Sequence, residues 1–89
     1  MSTYKLKIST PEGYIYNGDA QRLIVRGVEG DLAIMAGHVP FTTVIKEGNY
    51  SLLFGDGHEI NGKIGGGILN VTSEETILLA GSIEWEEKS

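Results

Sequence analysis

The stretch YKLKISTPEGYIY, residues 4–16, alternates, turns and extends again. Tyr4, Leu6 and Ile8 fall on one side of an extended chain and Lys5, Lys7 and Ser9 on the other. That period of two marks a strand with one buried face. Pro11-Glu12-Gly13 then reverses the chain, because proline presets φ and glycine accepts a positive one. Residues 14–16 read as a second short strand, with Asn17-Gly18 as the next turn signal.

The same grammar runs outward to the end of the chain. Extended segments are predicted over residues 20–26, 31–35, 41–45, 49–54, 58–64, 68–71, 76–80 and 83–85. Glycine-bearing turns separate most of them: Val28-Glu29-Gly30, Ala36-Gly37, Lys46-Glu47-Gly48 and Gly55-Asp56-Gly57, the last carrying the Asp-Gly step of a hairpin. No segment sustains a helical period. Turns at this spacing predict an all-β sandwich or barrel. Alternation directs Tyr4, Leu6, Ile8, Leu23, Val25, Leu32, Ile34, Leu69, Val71, Ile77 and Leu79 inward. At the end, Glu84, Glu86, Glu87 and Lys88 surround Trp85 in a pattern that could start an amphipathic helix if the chain continued.

Composition narrows the function. With 89 residues the sequence holds one domain, residues 1–89, with a modest core and no separately walled active site. Twelve acidic against seven basic residues give a net charge of −5, the wrong sign for gripping a phosphate backbone, so nucleic acid is not an expected partner. There is no cysteine, hence no disulfide, thiolate metal site or thiol nucleophile. No window approaches the roughly 18 apolar residues that span a bilayer. Any membrane association is expected through a protein partner.

Candidate chemistry is sparse. His38 and His58 are the only histidines, on different turns, and zinc wants three or four ligands at characteristic spacings. Thr42 and Thr43 lie near His38, but nucleophilic catalysis needs a histidine that a carboxylate orients, and adjacent threonines in a β-branched strand usually belong to a sheet surface. Gly65, Gly66 and Gly67 lead into Ile68-Leu69-Asn70-Val71 rather than a helix, so they read as relief for a tight bend or a close backbone approach, not as a phosphate cradle. Ile24 lies between Arg22 and Arg26 on the face that alternation gives to solvent, so that face is either covered or offered to a partner. A stand-alone β module stacking a sugar or nucleotide on Trp85 and the tyrosines is the alternative reading.

The order of the motifs carries more than any one of them. Gly27-Val28-Glu29-Gly30-Asp31-Leu32-Ala33-Ile34, then Gly37-His38-Val39-Pro40, then Ile45-Lys46-Glu47-Gly48, then Gly66-Gly67-Ile68-Leu69-Asn70-Val71, resembles the N-terminal β domain of the epsilon subunit of rotary ATP synthases, called delta in mitochondria. The resemblance spans essentially the whole chain. It implies a flattened sandwich of two antiparallel sheets, with about ten short strands in all. It further implies a non-catalytic central-stalk subunit that uses no cofactor and binds no small-molecule substrate. Its partners would be the gamma subunit and the membrane rotor ring of c subunits. Its place would be peripheral, on the cytoplasmic, stromal or matrix face of the energy-coupling membrane.

By the same resemblance, Val28, Glu29, Gly30, Asp31 and Leu32 match the loop facing the rotor ring. His38, Val39, Pro40, Thr42 and Thr43 match a region associated with the gamma contact. Many family members add a C-terminal helical hairpin that restrains ATP hydrolysis, and the 89 residues stop short of one.

Overall fold

A computed structural model describes residues 2–85, all in strands, turns or loops. Eight strands follow one another: β1 (Tyr4–Thr10), β2 (Gly13–Gly27), β3 (Gly30–Met35), β4 (Phe41–Ile45), β5 (Gly48–Phe54), β6 (Glu59–Ile64), β7 (Gly67–Val71) and β8 (Thr76–Ala80). They are hydrogen-bonded in the order β1-β8-β7-β4-β2-β5-β6, with β3 also on β2 and β1 returning to β2. The ladder folds into two layers because β2 serves both. Its first half pairs with β1 (Tyr4 opposite Ala20), and its second half pairs with β3 and β5 (Leu23 opposite Ile34 and Leu52).

Two expectations change at this level. Residues 14–16 and 20–26 form one strand, not two. Asn17 and Gly18 stay extended because Lys7 and Leu6 of β1 lie opposite them, so pairing overrides the local turn signal. The last predicted strand, residues 83–85, reduces to an isolated bridge between Ile83 and Ile64. Pairing is antiparallel as expected except between β1 and β8, which run parallel. The helix start read over residues 84–88 falls mostly outside the described residues.

Where β2 passes from one layer to the other, its register shifts between Ala20 and Arg22. An extra residue there lets both Ala20 and Leu23 point inward, the effect of a β-bulge. The Gln21 side chain ties the bend down by donating from Nε2 to the carbonyls of Phe54 (3.2 Å) and Gly55 (3.3 Å).

The core lies between the layers. Leu6, Ile8, Leu23, Val25, Ile34, Leu69 and Val71 are buried as alternation requires, with Ile45, Leu52, Phe54, Ile64 and Leu78 beside them, while Tyr4 and Leu32 pack against it from its margin. β8 contradicts the expectation. Ile77 and Leu79 face outward, and Thr76, Leu78 and Ala80 face in. The run Thr-Ile-Leu-Leu-Ala is apolar on both faces, so its own pattern cannot choose a parity. The neighbours choose it, because residues directly opposite share a face. Leu78 lies opposite buried Leu69 on one side and buried Ile8 on the other.

Tyr4 closes one margin of the core by donating its hydroxyl to the Ile34 carbonyl at 3.0 Å. Burial pushes its phenol well above the usual value near 10. A folded state that holds this proton more tightly than the unfolded chain has that stability in full below about pH 10 and loses it as pH rises from there. Tyr4→Phe is therefore expected to cost about 1 kcal/mol at neutral pH and to flatten the alkaline fall. Urea midpoints measured from pH 7 to 11 test both effects.

Candidate docking surfaces

The acidic turn is the tip of the β2–β3 hairpin. Gly27 and Gly30 pair across it, leaving Val28 and Glu29 as a two-residue loop. Gly30 has φ +126°, which glycine adopts without strain. Val28, Glu29 and Asp31 are exposed, with Val28 at 58% relative accessibility. Leu32 points back and packs on the core. The hairpin therefore presents one apolar and two acidic side chains on a stiff stalk, and Leu32 anchors it. Asp31 lies opposite Arg26 on β2, so the basic residue paired with it sits one step back from the Val28-Glu29 loop.

The His38-Val39-Pro40 corner begins at the far end of β3, about 17 Å from the tip at the usual strand rise. His38 is half-buried, with its ring 4.9 Å from that of Phe41. Its Nδ1 lies 3.0 Å from the Val39 carbonyl, which can only accept, so a hydrogen bond there requires the tautomer protonated on Nδ1. Val39 and Pro40 are exposed. The two threonines separate. Thr42 faces outward and donates to Asn70 Oδ1 on β7 at 2.7 Å, while Thr43 borders the hollow beside the acidic tip with Phe41 and Leu32.

A surface that the motifs did not mark lies beside Thr42. Val44 of β4 stands opposite Ile68 of β7, and Ile68 opposite Leu79 of β8. All three point outward, at 56%, 47% and 49% exposure, and make an apolar ladder across three adjacent strands. The row beside it runs Thr42, Asn70, Ile77 and Lys7. Alternation can find such a face only through a strand that is apolar on both sides, and β8 was that signal.

The remaining candidates take structural parts. His58 stacks on Phe54 at 4.2 Å, and its backbone N–H and ring nitrogen both bond to Asp56, which holds that exposed carboxyl below its usual range. Trp85 packs on Tyr16 and Phe54, with ring centroids 5.6 and 6.0 Å apart, so these rings are engaged with one another rather than set out as a stacking platform. Ile24 is half-buried on the outer face of the second layer. On the same face Glu59 Oε2 takes Arg22 Nη2 at 3.0 Å and Ser51 Oγ at 2.6 Å. Among the described residues no three His, Cys, Asp or Glu side chains gather as a metal site.

A family model described as "ATP synthase, Delta/Epsilon chain, beta-sandwich domain" matches residues 3–86. The chain belongs to this family. Among curated relatives of this delta/epsilon family, the sodium ion specific ATP synthase epsilon chain of Acetobacterium woodii is 41% identical over 86 residues, covering 97% of this chain and 65% of its own length. The epsilon chain of Clostridium novyi is 35% identical, with 97% and 66% covered. The chain thus spans a little under two-thirds of the length of these relatives. Two solved structures share the fold at 16% identity. One is the Euglena gracilis mitochondrial ATP synthase OSCP/F1/c-ring, with a TM-score of 0.86 over 94% of this chain and 54% of the matched chain. The other is the central stalk and c-ring of the Tetrahymena thermophila mitochondrial enzyme, with a TM-score of 0.80 over 93% and 66%.

Proposed function

We propose that this delta/epsilon-type chain is a non-catalytic central-stalk element that joins the gamma shaft to the membrane rotor ring and so couples ion flow to ATP synthesis. The observation that carries the reading is the pairing of two different exposed surfaces on one packed block. The apolar ladder Val44-Ile68-Leu79 is suited to lasting burial against another subunit, with Thr42 and the His38-Val39-Pro40 corner at its margin. The hairpin tip, with Val28, Glu29 and Asp31, is suited to gripping polar loops.

In this reading the ladder takes the gamma subunit and the tip takes the c subunits. Catalysis and nucleotide binding belong to other subunits. The chain works as one unit and stays peripheral, on the cytoplasmic, stromal or matrix face of the membrane. Close packing lets such a block transmit strain between the two contacts.

Glu29→Lys with Asp31→Lys tests the ring assignment. Neutralising an exposed pair changes binding by only about 0 to 1 kcal/mol, but like charges brought together oppose docking outright. The double variant is expected to keep its fold and its gamma affinity. Its association with the ring should weaken about tenfold or more at low salt and recover in part as salt screens the charges. Pull-down with purified ring at two ionic strengths measures this. Unchanged ring binding in the folded variant removes the tip from the interface.

A further inference from the structure

After β8 the chain crosses to the outer edge of β6. Residues 82–84 run antiparallel to it, with Ile83 bridging Ile64. Gly65 N–H donates to the Ser82 carbonyl at 2.9 Å, and Glu84 N–H donates to the Lys63 carbonyl at 2.8 Å. At the next step a side chain takes over from the backbone: Lys63 N–H donates to Glu84 Oε1 at 3.0 Å. Buried Tyr50 adds its hydroxyl to the Glu84 carbonyl.

β6 is cut away to receive this segment. A β-carbon on Gly62 would lie 3.1 Å from Tyr50 Cε1, 3.2 Å from the Glu84 carbonyl oxygen and 3.3 Å from Glu84 Cβ, and one on Gly65 would lie 2.6 Å from Ser82 Oγ.

The attachment is nevertheless slight. Ser82 and Glu84 are exposed, and Ile83 and Trp85 are half-buried. Beneath them β6 keeps its own ladder to β5, through the groups of Gly62 and Ile64 that point the other way. Lifting the segment exposes Ile83 and Trp85, parts Trp85 from the Tyr16 and Phe54 rings and breaks the bond from the Tyr50 hydroxyl to Glu84 along with a handful of other hydrogen bonds, which is still less than either layer would lose on unfolding.

We propose that residues 82–85 form a latch that leaves β6 as a unit while both layers stay folded. Its release uncovers the N–H and C=O of Lys63 and the N–H of Gly65 as an open strand edge. The ladder lies apart, on β4, β7 and β8, whereas Asp31 of the acidic hairpin borders the same surface hollow as Gly62 and Lys63.

Native-state hydrogen exchange on the full chain tests this. The amides of Lys63, Gly65 and Glu84 are expected to exchange at one common rate, at least tenfold faster than those of Leu69 and Leu78 and unaffected by low denaturant. Gly62 and Ile64, in the same strand but bonded to β5, are expected to exchange with the slow group. Gly62→Val should speed the three latch amides at least a further tenfold and red-shift the emission of Trp85, the single tryptophan. Leu69 and Leu78 should keep their rates. If Gly62→Val does not fold, Ile83→Ala loosens the latch from its own side and is read identically. Latch amides that exchange only with the core, or a variant that speeds every amide equally, would overturn the proposal.

Discussion

Gly67→Ala is expected to destabilise the protein by about 3 kcal/mol or more, the upper range for forcing atoms into a packed interior. For a domain of this size that lowers the melting temperature by roughly 15 °C. A β-carbon at Gly67 would sit 2.0 Å from the Leu79 carbonyl oxygen and 2.9 Å from Ala80 Cα. Both are backbone atoms of the paired strand, so no rotamer change relieves the clash. β7 and β8 would have to part by more than 1 Å at the end where Gly67 faces Ala80, since ordinary contact begins near 3.4 Å. Gly81→Ala is the matched control. Its β-carbon would meet only the Gly66 carbonyl oxygen, at an ordinary 3.4 Å. Thermal unfolding of the two variants side by side decides the matter, and equal melting temperatures would refute the argument from close approach.

Ile68→Asp with Leu79→Asp is expected to abolish working affinity for the gamma subunit. Both side chains are about half exposed but directly opposite one another, so the two aspartates repel and the folded monomer is expected to lose about 1 kcal/mol or more, with the fold verified before gamma is added. At the centre of an interface the same substitutions bury unpaired charge. Central apolar anchors commonly cost 2 to 4 kcal/mol when lost, and two together imply a loss of about a hundredfold or more. Asn61→Asp, on the outer face of the second layer, should leave gamma binding unaltered. Titration of labelled gamma with each variant separates the faces. If the double variant binds like the parent, gamma docks elsewhere and the ladder loses its role.

Much of this architecture was written in alternation. β1, β3 and β7 obeyed it, since each sets at least one polar side chain, Lys5 and Lys7, Asp31 or Asn70, on the face opposite its inward-facing pair. β8 did not, because Ile77, Leu78 and Leu79 are all apolar and only the facing strands determine which points in. The glycine triplet was legible as a close approach, but not which member makes it: Gly67 lies against a neighbouring backbone, whereas Gly65 makes room for the Ser82 side chain. The tip and the His38 corner were found as motifs, because turns depend on local residue choice. The ladder of Val44, Ile68 and Leu79 was not found, because it exists only after three segments distant in sequence are set side by side.

The parallel pairing of β1 with β8 places Leu6 against Thr76, seventy residues apart. On a ribosome adding about 5 to 20 residues per second, roughly 4 to 14 seconds separate the emergence of these two partners. β1 can form its hairpin with β2 almost at once, but its other side stays open for that whole interval. Lys5 and Lys7, at the start of that waiting edge, are the kind of residue that keeps exposed strands from pairing with the wrong neighbour. Among the described strands, the sheet around β1 is therefore completed by the last, β8. A nascent chain halted before Ala80 clears the exit tunnel is expected to remain open to proteases however long it waits.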